Sequence, residues 1–179
     1  MFELLSSFLL LIVFLLVLSI IWRNNARKYI SSGTVASAYD SWTQDKLLER
    51  LWGEHIHLGY YPLTDKNIDF RKAKVQFVHE LVKWSGLDTL PKGSRILDVG
   101  CGIGGSSRIL AKYYGFNVTG ITISPAQVKR ARELTPSSLN CNFQVMDALD
   151  LKFEDGTFDA VWSVEAGAHM NDKTRFADE

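Results

Sequence analysis

The sequence has few of the residues that characterise secreted or metal-binding proteins. Its 179 residues include only two cysteines, four histidines and four prolines. Cys101 and Cys141 provide neither a disulfide framework nor the paired spacing of a zinc site, so we expect no metal and a reducing compartment. Basic and acidic residues number 20 each, so no net charge directs the chain to nucleic acid.

A glycine-rich turn follows a short apolar strand pattern near the middle of the chain. The strand pattern covers residues 95–99, the glycines fall within residues 100–105, and residues 106–114 have a helical pattern. Glycines at a strand-to-helix turn let a ligand approach the backbone closely, as in nucleotide-like cofactor sites. Because the glycine spacing also satisfies the dinucleotide fingerprint G-x-G-x-x-G, the turn alone leaves a dehydrogenase open.

Asp98 distinguishes between the two classes of cofactor. Its carboxylate lies just before the glycines, where it would repel a pyrophosphate and attract a cationic group. S-adenosylmethionine carries a sulfonium and an ammonium group. Dinucleotide sites also place an acid about 20 residues further on for the ribose, and residues 117–124 contain none. We therefore predict an S-adenosylmethionine site, with an anchored NAD(P)-dependent oxidoreductase as the alternative.

The N-terminal residues form a long apolar run. Residues 4–22 contain no charge, and about 19 residues at a rise of 1.5 Å match the ~30 Å core of a bilayer. Glu3 precedes the run and no small-residue cleavage site follows it, so we predict an uncleaved transmembrane anchor over residues 1–22. Arg23, Arg27 and Lys28 follow the run and place the catalytic part in the cytoplasm. An interfacial helix is the alternative.

The rest of the chain divides into a helical segment and an α/β segment. Apolar residues recur at helical spacing twice within residues 23–93, which we interpret as a juxtamembrane segment and a helical lid, with plain core packing as the alternative. Residues 94–179 alternate between strand and helix, the pattern of a parallel α/β sheet. Strands are predicted near 94–99, 116–121, 142–145 and 158–164, and helices near 105–114 and 125–134.

The predicted sheet is incomplete at the end of the sequence. After the fourth strand only the start of a further helix precedes Glu179. A parallel sheet cut at this point would leave an apolar strand edge and part of one face uncovered. We therefore expect residues 94–179 to be the N-terminal part of a cofactor-binding domain in a longer protein.

Several stretches resemble the class I S-adenosylmethionine-dependent methyltransferases of the tocopherol and sterol group. They are residues 38–42, 52–60, 96–105, 120–127 and 158–170. The resemblance implies a Rossmann-like class I methyltransferase fold and C-methylation of a prenylated benzoquinol of the 2-methyl-6-phytyl-1,4-benzoquinol type, in tocopherol and plastoquinone biosynthesis. It also implies a plasma or thylakoid membrane of a photosynthetic prokaryote. The alternatives are a γ-tocopherol or sterol methyltransferase and a catalytically silent scaffold of this fold.

The resemblance also implies roles for individual residues in binding the cofactor. The methionine part of S-adenosyl-L-methionine is expected to contact Asp98, Gly100, Cys101, Gly102 and Gly104. Asp147 and Ala148 match the positions that contact the adenine. The second strand lacks the acid that holds the ribose hydroxyls in most class I enzymes, and Thr122 and Gln127 are the candidates in its place.

Methylation of an aromatic carbon is favoured when a base removes the proton of the quinol hydroxyl. The candidate bases are His55, His57, His169, Glu165 and Glu54. His169 follows the fourth strand, at the edge where parallel α/β sheets bind ligands. An exposed loop pair is the alternative for His55 and His57. We expect the partners to be a lipid-soluble prenylquinol and the bilayer, with no nucleic acid.

Overall fold

The computed structural model describes residues 11–19, 32–64 and 67–179. Residues 11–19 are helical, with their apolar side chains exposed. Among the described ranges, no helix has the length and apolar character needed to cross a membrane. The other residues of the predicted anchor lie outside these ranges. A separate compact unit comprises Ser31–Glu179.

Within the described part of the Ser31–Glu179 unit, three α-helices precede the sheet. They are α1 (Ser32–Gln44), α2 (Leu47–Trp52) and α3 (Phe70–Ser85). Lys46 adopts a left-handed conformation, with φ of 51°, and separates α1 from α2. Asp69 caps α3, since its carboxylate accepts hydrogen bonds from the backbone N–H groups of Arg71 and Lys72. Gly86 ends α3 with φ of 73°, a conformation that glycine adopts without strain.

The remainder forms a four-stranded parallel sheet in the order β3-β2-β1-β4. Its strands are β1 (Arg95–Val99), β2 (Asn117–Thr122), β3 (Cys141–Val145) and β4 (Ala160–Trp162). Helix α4 (Gly105–Tyr114) joins β1 to β2, α5 (Pro125–Leu134) joins β2 to β3, and α6 (Lys173–Asp178) follows β4. The predicted parallel α/β architecture is confirmed.

Both faces of the sheet contribute to the core. On one face, residues of α3 and α4 pack against Ile96, Val118 and Trp162. On the other face, Leu97, Val99, Ile121 and Ala148 form a second cluster. Residues 23–93 are predicted to form either a lid or part of the core. Helix α3 belongs to the core.

Strand β4 is shorter than the pattern over residues 158–164 predicts. Before the strand, the Asp159 carboxylate accepts the backbone N–H of Arg95 at 2.7 Å. After it, the Ser163 hydroxyl donates to the carbonyl of Val99 at 3.2 Å, so a side chain replaces the backbone ladder. Glu165 then turns the chain with φ of 56°. Strand β4 therefore comprises only Ala160–Trp162.

Candidate functional site

The predicted site residues follow the carboxyl ends of the four parallel strands. The glycine turn follows β1, Thr122 ends β2, Asp147 follows β3, and residues 163–169 follow β4. Parallel strands bring these ends to one edge of the sheet, which is where open α/β sheets bind ligands.

Asp98 is a buried carboxylate at this edge. Its side chain is 2% exposed, and its Oδ2 accepts a hydrogen bond of 2.5 Å from the Ser107 hydroxyl of α4. Burial raises the pKa of Asp98 to about 6, against the opposing effect of the Ser107 bonds. Within the described part of the chain, no cationic side chain forms an ion pair with it. A cationic ligand group would therefore stabilise its ionised form.

The turn after Asp98 requires glycine for two different reasons. A Cβ on Gly100 would lie 2.4 Å from the Cβ of Ala166, and one on Gly104 would lie 2.7 Å from the Phe143 ring. A Cβ on Gly102 would meet nothing within 4 Å, but its φ of 56° disfavours other residues. The backbone at Gly102 is thus open to close approach, which fits a cofactor held by the turn.

Cys101 lies within the turn but is poorly suited to nucleophilic chemistry. Its side chain is buried, and burial raises the pKa of its thiol well above the usual range. A buried thiol that resists ionisation is a weak nucleophile. The structure therefore supports its interpretation as a small loop residue.

Thr122 and Gln127 bond to each other and close the start of α5. The Ser124 hydroxyl caps α5 by accepting the backbone N–H of Gln127 at 3.1 Å. Thr122 donates to Oε1 of Gln127 at 2.7 Å, and its hydroxyl accepts the N–H of Ser124. Because the hydrogen of Thr122 is engaged, a ribose hydroxyl would have to compete for it. Their contact with the ribose stays a prediction.

Asp40 is a residue of this site that the sequence reasoning did not single out. Its Oδ1 accepts the Ser124 hydroxyl at 2.5 Å and the backbone N–H of Ala126 at 3.0 Å. A carboxylate at a helix N-terminus also interacts favourably with the helix dipole. Asp40 thus joins α1 to the first turn of α5. Only its position in an aromatic stretch that resembles the methyltransferases pointed to it.

Removal of the Asp40 carboxylate tests this link. Asp40→Ala leaves the Ala126 N–H without its acceptor, and we expect a loss of about 1–2 kcal/mol in the free energy of unfolding, measured by urea denaturation. Asp40→Asn retains an acceptor oxygen and should recover most of the loss. Asp45→Ala, at an exposed acid just beyond α1, is the control and should change little. Equal stability of Asp40→Ala and wild type would contradict the contact.

His169 pairs with an aromatic residue of α1. Its Nε2 lies 2.9 Å from the Tyr39 hydroxyl, and the two rings meet edge to face with centroids 5.6 Å apart. Burial raises the pKa of Tyr39, so its hydroxyl remains protonated and donates to Nε2 when that nitrogen carries no proton. His169 itself is exposed at the sheet edge. The structure therefore gives this histidine a fixed partner and access to a ligand.

His55 and His57 form a buried pair, and the alternative of an exposed loop pair is wrong. Each is 8% exposed, and Nε2 of His57 lies 3.1 Å from Nδ1 of His55. Nδ1 of His57 must donate to the Leu58 carbonyl at 2.7 Å. In the neutral pair, His57 Nε2 then accepts from His55 Nδ1.

Burial lowers the pKa of both histidines, that of His55 to about 3. Both histidines are therefore neutral at physiological pH. A general base works best when its pKa is close to the ambient pH, and the lowered pKa values make these two histidines weak bases. A Cβ on Gly105 would lie 2.8 Å from the His55 ring, so the pair packs against the first residue of α4. This geometry favours a role in holding the loop against the glycine turn over proton transfer.

Glu165 connects the turn after β4 to the same loop. Its Oε1 accepts the backbone N–H of Leu58 at 3.0 Å. Its left-handed backbone conformation is unusual for a residue other than glycine and commonly marks functional positions. Glu54 is engaged elsewhere, in an ion pair of 2.6 Å with Arg108.

Asp147 and Ala148 are the residues expected to contact the adenine. Asp147 Oδ1 accepts the backbone N–H of Leu149 at 3.0 Å, and Ala148 is buried in the core. Over the ranges that the structure covers, no group of three or more acidic, histidine or cysteine side chains is arranged to hold a metal ion.

The chain is similar in sequence to known methyltransferases. Residues 96–179 match a methyltransferase-domain family model. Over 154 residues the chain is 64% identical to 2-methyl-6-phytyl-1,4-hydroquinone methyltransferase of Synechocystis sp., an alignment that covers 86% of this chain and 48% of the relative. The chain thus spans about half the length of that curated relative.

Two solved structures show the same fold. The cyclase SpnF has a TM-score of 0.71 at 30% identity, with 82% of this chain and 54% of that chain covered. Magnesium protoporphyrin IX methyltransferase of Synechocystis, solved with bound S-adenosylhomocysteine, has a TM-score of 0.58 at 26% identity, with 78% and 60% covered. Since one is named as a cyclase, the fold does not determine the reaction, which must be argued from the site.

Proposed function

We propose that this chain is a class I methyltransferase that uses S-adenosyl-L-methionine to C-methylate a prenylated benzoquinol of the 2-methyl-6-phytyl-1,4-benzoquinol type. The relative with 64% identity is named for the hydroquinone form of this compound. The observation that carries the cofactor assignment is the buried Asp98 carboxylate beside an open glycine turn. When bound, the cofactor supplies an electrophilic methyl group on its sulfonium.

Asp98 and the glycine turn are the residues that would hold this cofactor. The buried carboxylate attracts the ammonium group of the methionine part, directly or through water. Gly102 leaves the backbone accessible beside it, and Gly100 and Gly104 let the turn pack closely against Ala166 and Phe143. Together they favour a cationic amino acid moiety over the pyrophosphate of a dinucleotide.

His169 is the residue that we assign as the general base. An imidazole with access to the ligand can accept the proton of a quinol hydroxyl. The Tyr39 hydroxyl orients the ring through Nε2. When Nε2 carries the proton, it donates to the Tyr39 oxygen and Nδ1 is free to accept the proton of the substrate. When Nδ1 carries the proton, Nε2 accepts from Tyr39, and proton transfer to Nε2 involves the Tyr39 hydroxyl. Glu165 is instead engaged with the backbone of Leu58. It acts as a positioning residue for the loop.

Helix α1 and the loop after α2 form the lid of this site. Neighbouring residues of α1 contact two sides of the sheet edge, Asp40 at the start of α5 and Tyr39 at His169. The loop packs His55 against Gly105 and bonds Leu58 to Glu165. A lid in this position excludes water from the reacting groups.

The lipid character of the substrate agrees with a membrane location. A phytyl tail partitions into the bilayer, and residues 4–22 are apolar enough in sequence to anchor the protein there. An anchored site meets its substrate at the concentration that the lipid phase provides. We therefore place the cofactor-binding unit at the cytoplasmic surface of a plasma or thylakoid membrane.

The reaction can be tested with the protein reconstituted in vesicles. Incubation with methyl-labelled S-adenosylmethionine and 2-methyl-6-phytyl-1,4-benzoquinol should give a lipid product that carries the label on a ring carbon, identified by mass spectrometry. γ-Tocopherol, supplied in parallel, should be methylated more slowly. No labelled quinol would contradict the proposal, and faster methylation of γ-tocopherol would move the assignment to that substrate.

A further inference from the structure

Helix α2 is attached to the protein by one side and exposes apolar residues on the other. Glu49 forms a two-pronged ion pair with Arg130 of α5, at 2.7 and 2.8 Å. Because successive residues of an α-helix are rotated by about 100°, Leu47 and Leu51 lie on the side opposite Glu49. They are 56% and 51% exposed, and no residue of α2 is buried.

Further exposed apolar residues precede and follow Leu47 and Leu51 in the chain. Trp42 at the end of α1 and Trp52 at the end of α2 are both exposed. The backbone N–H of Leu58 donates to Glu165, and its carbonyl accepts from His57. The Leu58 residue is nevertheless 74% exposed. We call Trp42, Leu47, Leu51, Trp52 and Leu58 the outer lid face. Exposed apolar clusters of this kind mark interaction sites.

The charges around the outer lid face are mainly positive. Lys46 and Arg50 are exposed beside its leucines. The Arg71 guanidinium donates to the carbonyls of Arg50 and Leu51, which places a third cation at the end of α2.

The acids of the same segment are mostly engaged with the body of the protein. Glu49 pairs with Arg130, Glu54 pairs with Arg108, and Asp40 caps α5, with exposed Asp45 as the exception. Tryptophan, leucine and exposed lysine and arginine together are typical of surfaces at a membrane interface. This composition favours an anionic bilayer over an apolar protein partner.

We infer that the outer lid face docks on the surface of an anionic lipid bilayer. The inference rests on the proposed function, since a lipid-soluble substrate must pass from the bilayer to the site. Trp42 contacts the Tyr39 ring edge to face, with centroids 5.4 Å apart, and Tyr39 bonds His169. The outer lid face is therefore continuous with the residues assigned to proton transfer. A prenyl tail can remain in lipid while its quinol reaches His169.

Depth-dependent quenching tests the contact at the level of single residues. Leu51→Cys and Trp84→Cys, each in the Cys141→Ser background, are labelled with a fluorophore and added to vesicles that contain phosphatidylglycerol and brominated phosphatidylcholine. Trp84 is the matched control, because it is 84% exposed on α3, outside the outer lid face. We expect at least twofold quenching at position 51, little at position 84, and weaker quenching without the anionic lipid.

Two results would overturn the inference. One is equal quenching at both positions, or none at position 51 while the protein sediments with the vesicles. The other is a label at position 51 that lipid does not quench, combined with a concentration-dependent doubling of mass, which would assign the face to a second copy of the chain.

A kinetic comparison separates this inference from the proposed function. Leu47→Ser with Leu51→Ser should raise KM about tenfold for the vesicle-embedded quinol, because two exposed leucines lose their contact with lipid. Affinity for S-adenosylhomocysteine and kcat/KM for a water-soluble short-chain quinol should not change, and Trp84→Ser should behave as wild type. No methylation of the short-chain quinol by the wild type would count against the proposed function. An unchanged KM for the vesicle-embedded quinol would count against docking alone.

Discussion

Replacement of Asp98 by asparagine is expected to make the protein more stable without its cofactor while removing most of its affinity for it. Asp98 is buried, and the pKa of its carboxyl is raised to about 6 from an ordinary value of 3.8. At neutral pH its ionised form therefore opposes folding of the ligand-free protein. Asparagine retains an oxygen for the Ser107 hydroxyl and carries no charge.

The pH dependence follows from the direction of this shift. Because the folded state holds the Asp98 proton up to about pH 6 and the unfolded state loses it at about pH 4, wild-type stability falls as the pH rises through this window. Two pKa units correspond to about 3 kcal/mol. Burial of the asparagine amide offsets part of this, so we expect a gain of roughly 1–2 kcal/mol for Asp98→Asn above pH 6.

Asp98→Asn should lower the affinity for the cofactor, although it raises the stability of the ligand-free protein. Loss of one partner of a buried charge pair costs 2–5 kcal/mol or more, so S-adenosylhomocysteine should bind Asp98→Asn at least about 30-fold more weakly by calorimetry. Asp155→Asn, at an exposed turn before β4, is the control and should bind as wild type. Undiminished affinity of Asp98→Asn would remove the electrostatic argument for the cofactor.

The second large effect is expected at His169. His169→Gln should lower kcat by about 10²–10⁴, the usual contribution of a general base, with unchanged affinity for S-adenosylhomocysteine. Single-turnover methylation of the short-chain quinol measures this loss. Retention of more than a tenth of the wild-type kcat would exclude His169 as the base and direct attention to Glu165.

Two further variants, Tyr39→Phe and His79→Gln, test whether the loss is specific to His169. Tyr39→Phe removes the hydroxyl bonded to His169 and should lower kcat about tenfold, with a shifted pH–rate profile, because Tyr39 acts through the histidine. His79→Gln is matched, since Nδ1 of His79 also bonds a tyrosine hydroxyl, that of Tyr114 at 2.8 Å, away from the sheet edge. It should leave kcat unchanged.

Local patterns in the sequence predicted the sheet and the glycine turn well. The start of α5 was predictable because Ser124 and Gln127 act within one helical turn. The end of β4 was not, since it depends on a bond between Ser163 and Val99 of the neighbouring strand. Apolar periodicity shows that a segment is buried but not which residues it meets.

In the candidate site, too, features set by neighbouring residues were predictable and contacts between distant residues were not. Asp98 was identified because its role depends on the adjacent glycines. Tyr39 and His169 are 130 positions apart, and Asp40 and Ser124 are 84 apart. Such pairs arise only when α1 is placed across the strand ends. The burial of His55 likewise depends on its packing against Gly105, and His57 packs against His55 and the Phe77 ring of α3.

The most direct test is a calorimetric titration of the protein with S-adenosylhomocysteine and, separately, with NAD⁺ and NADP⁺. We predict saturable binding of S-adenosylhomocysteine with one site per chain and no binding of either dinucleotide. Binding of a dinucleotide without binding of S-adenosylhomocysteine would contradict it.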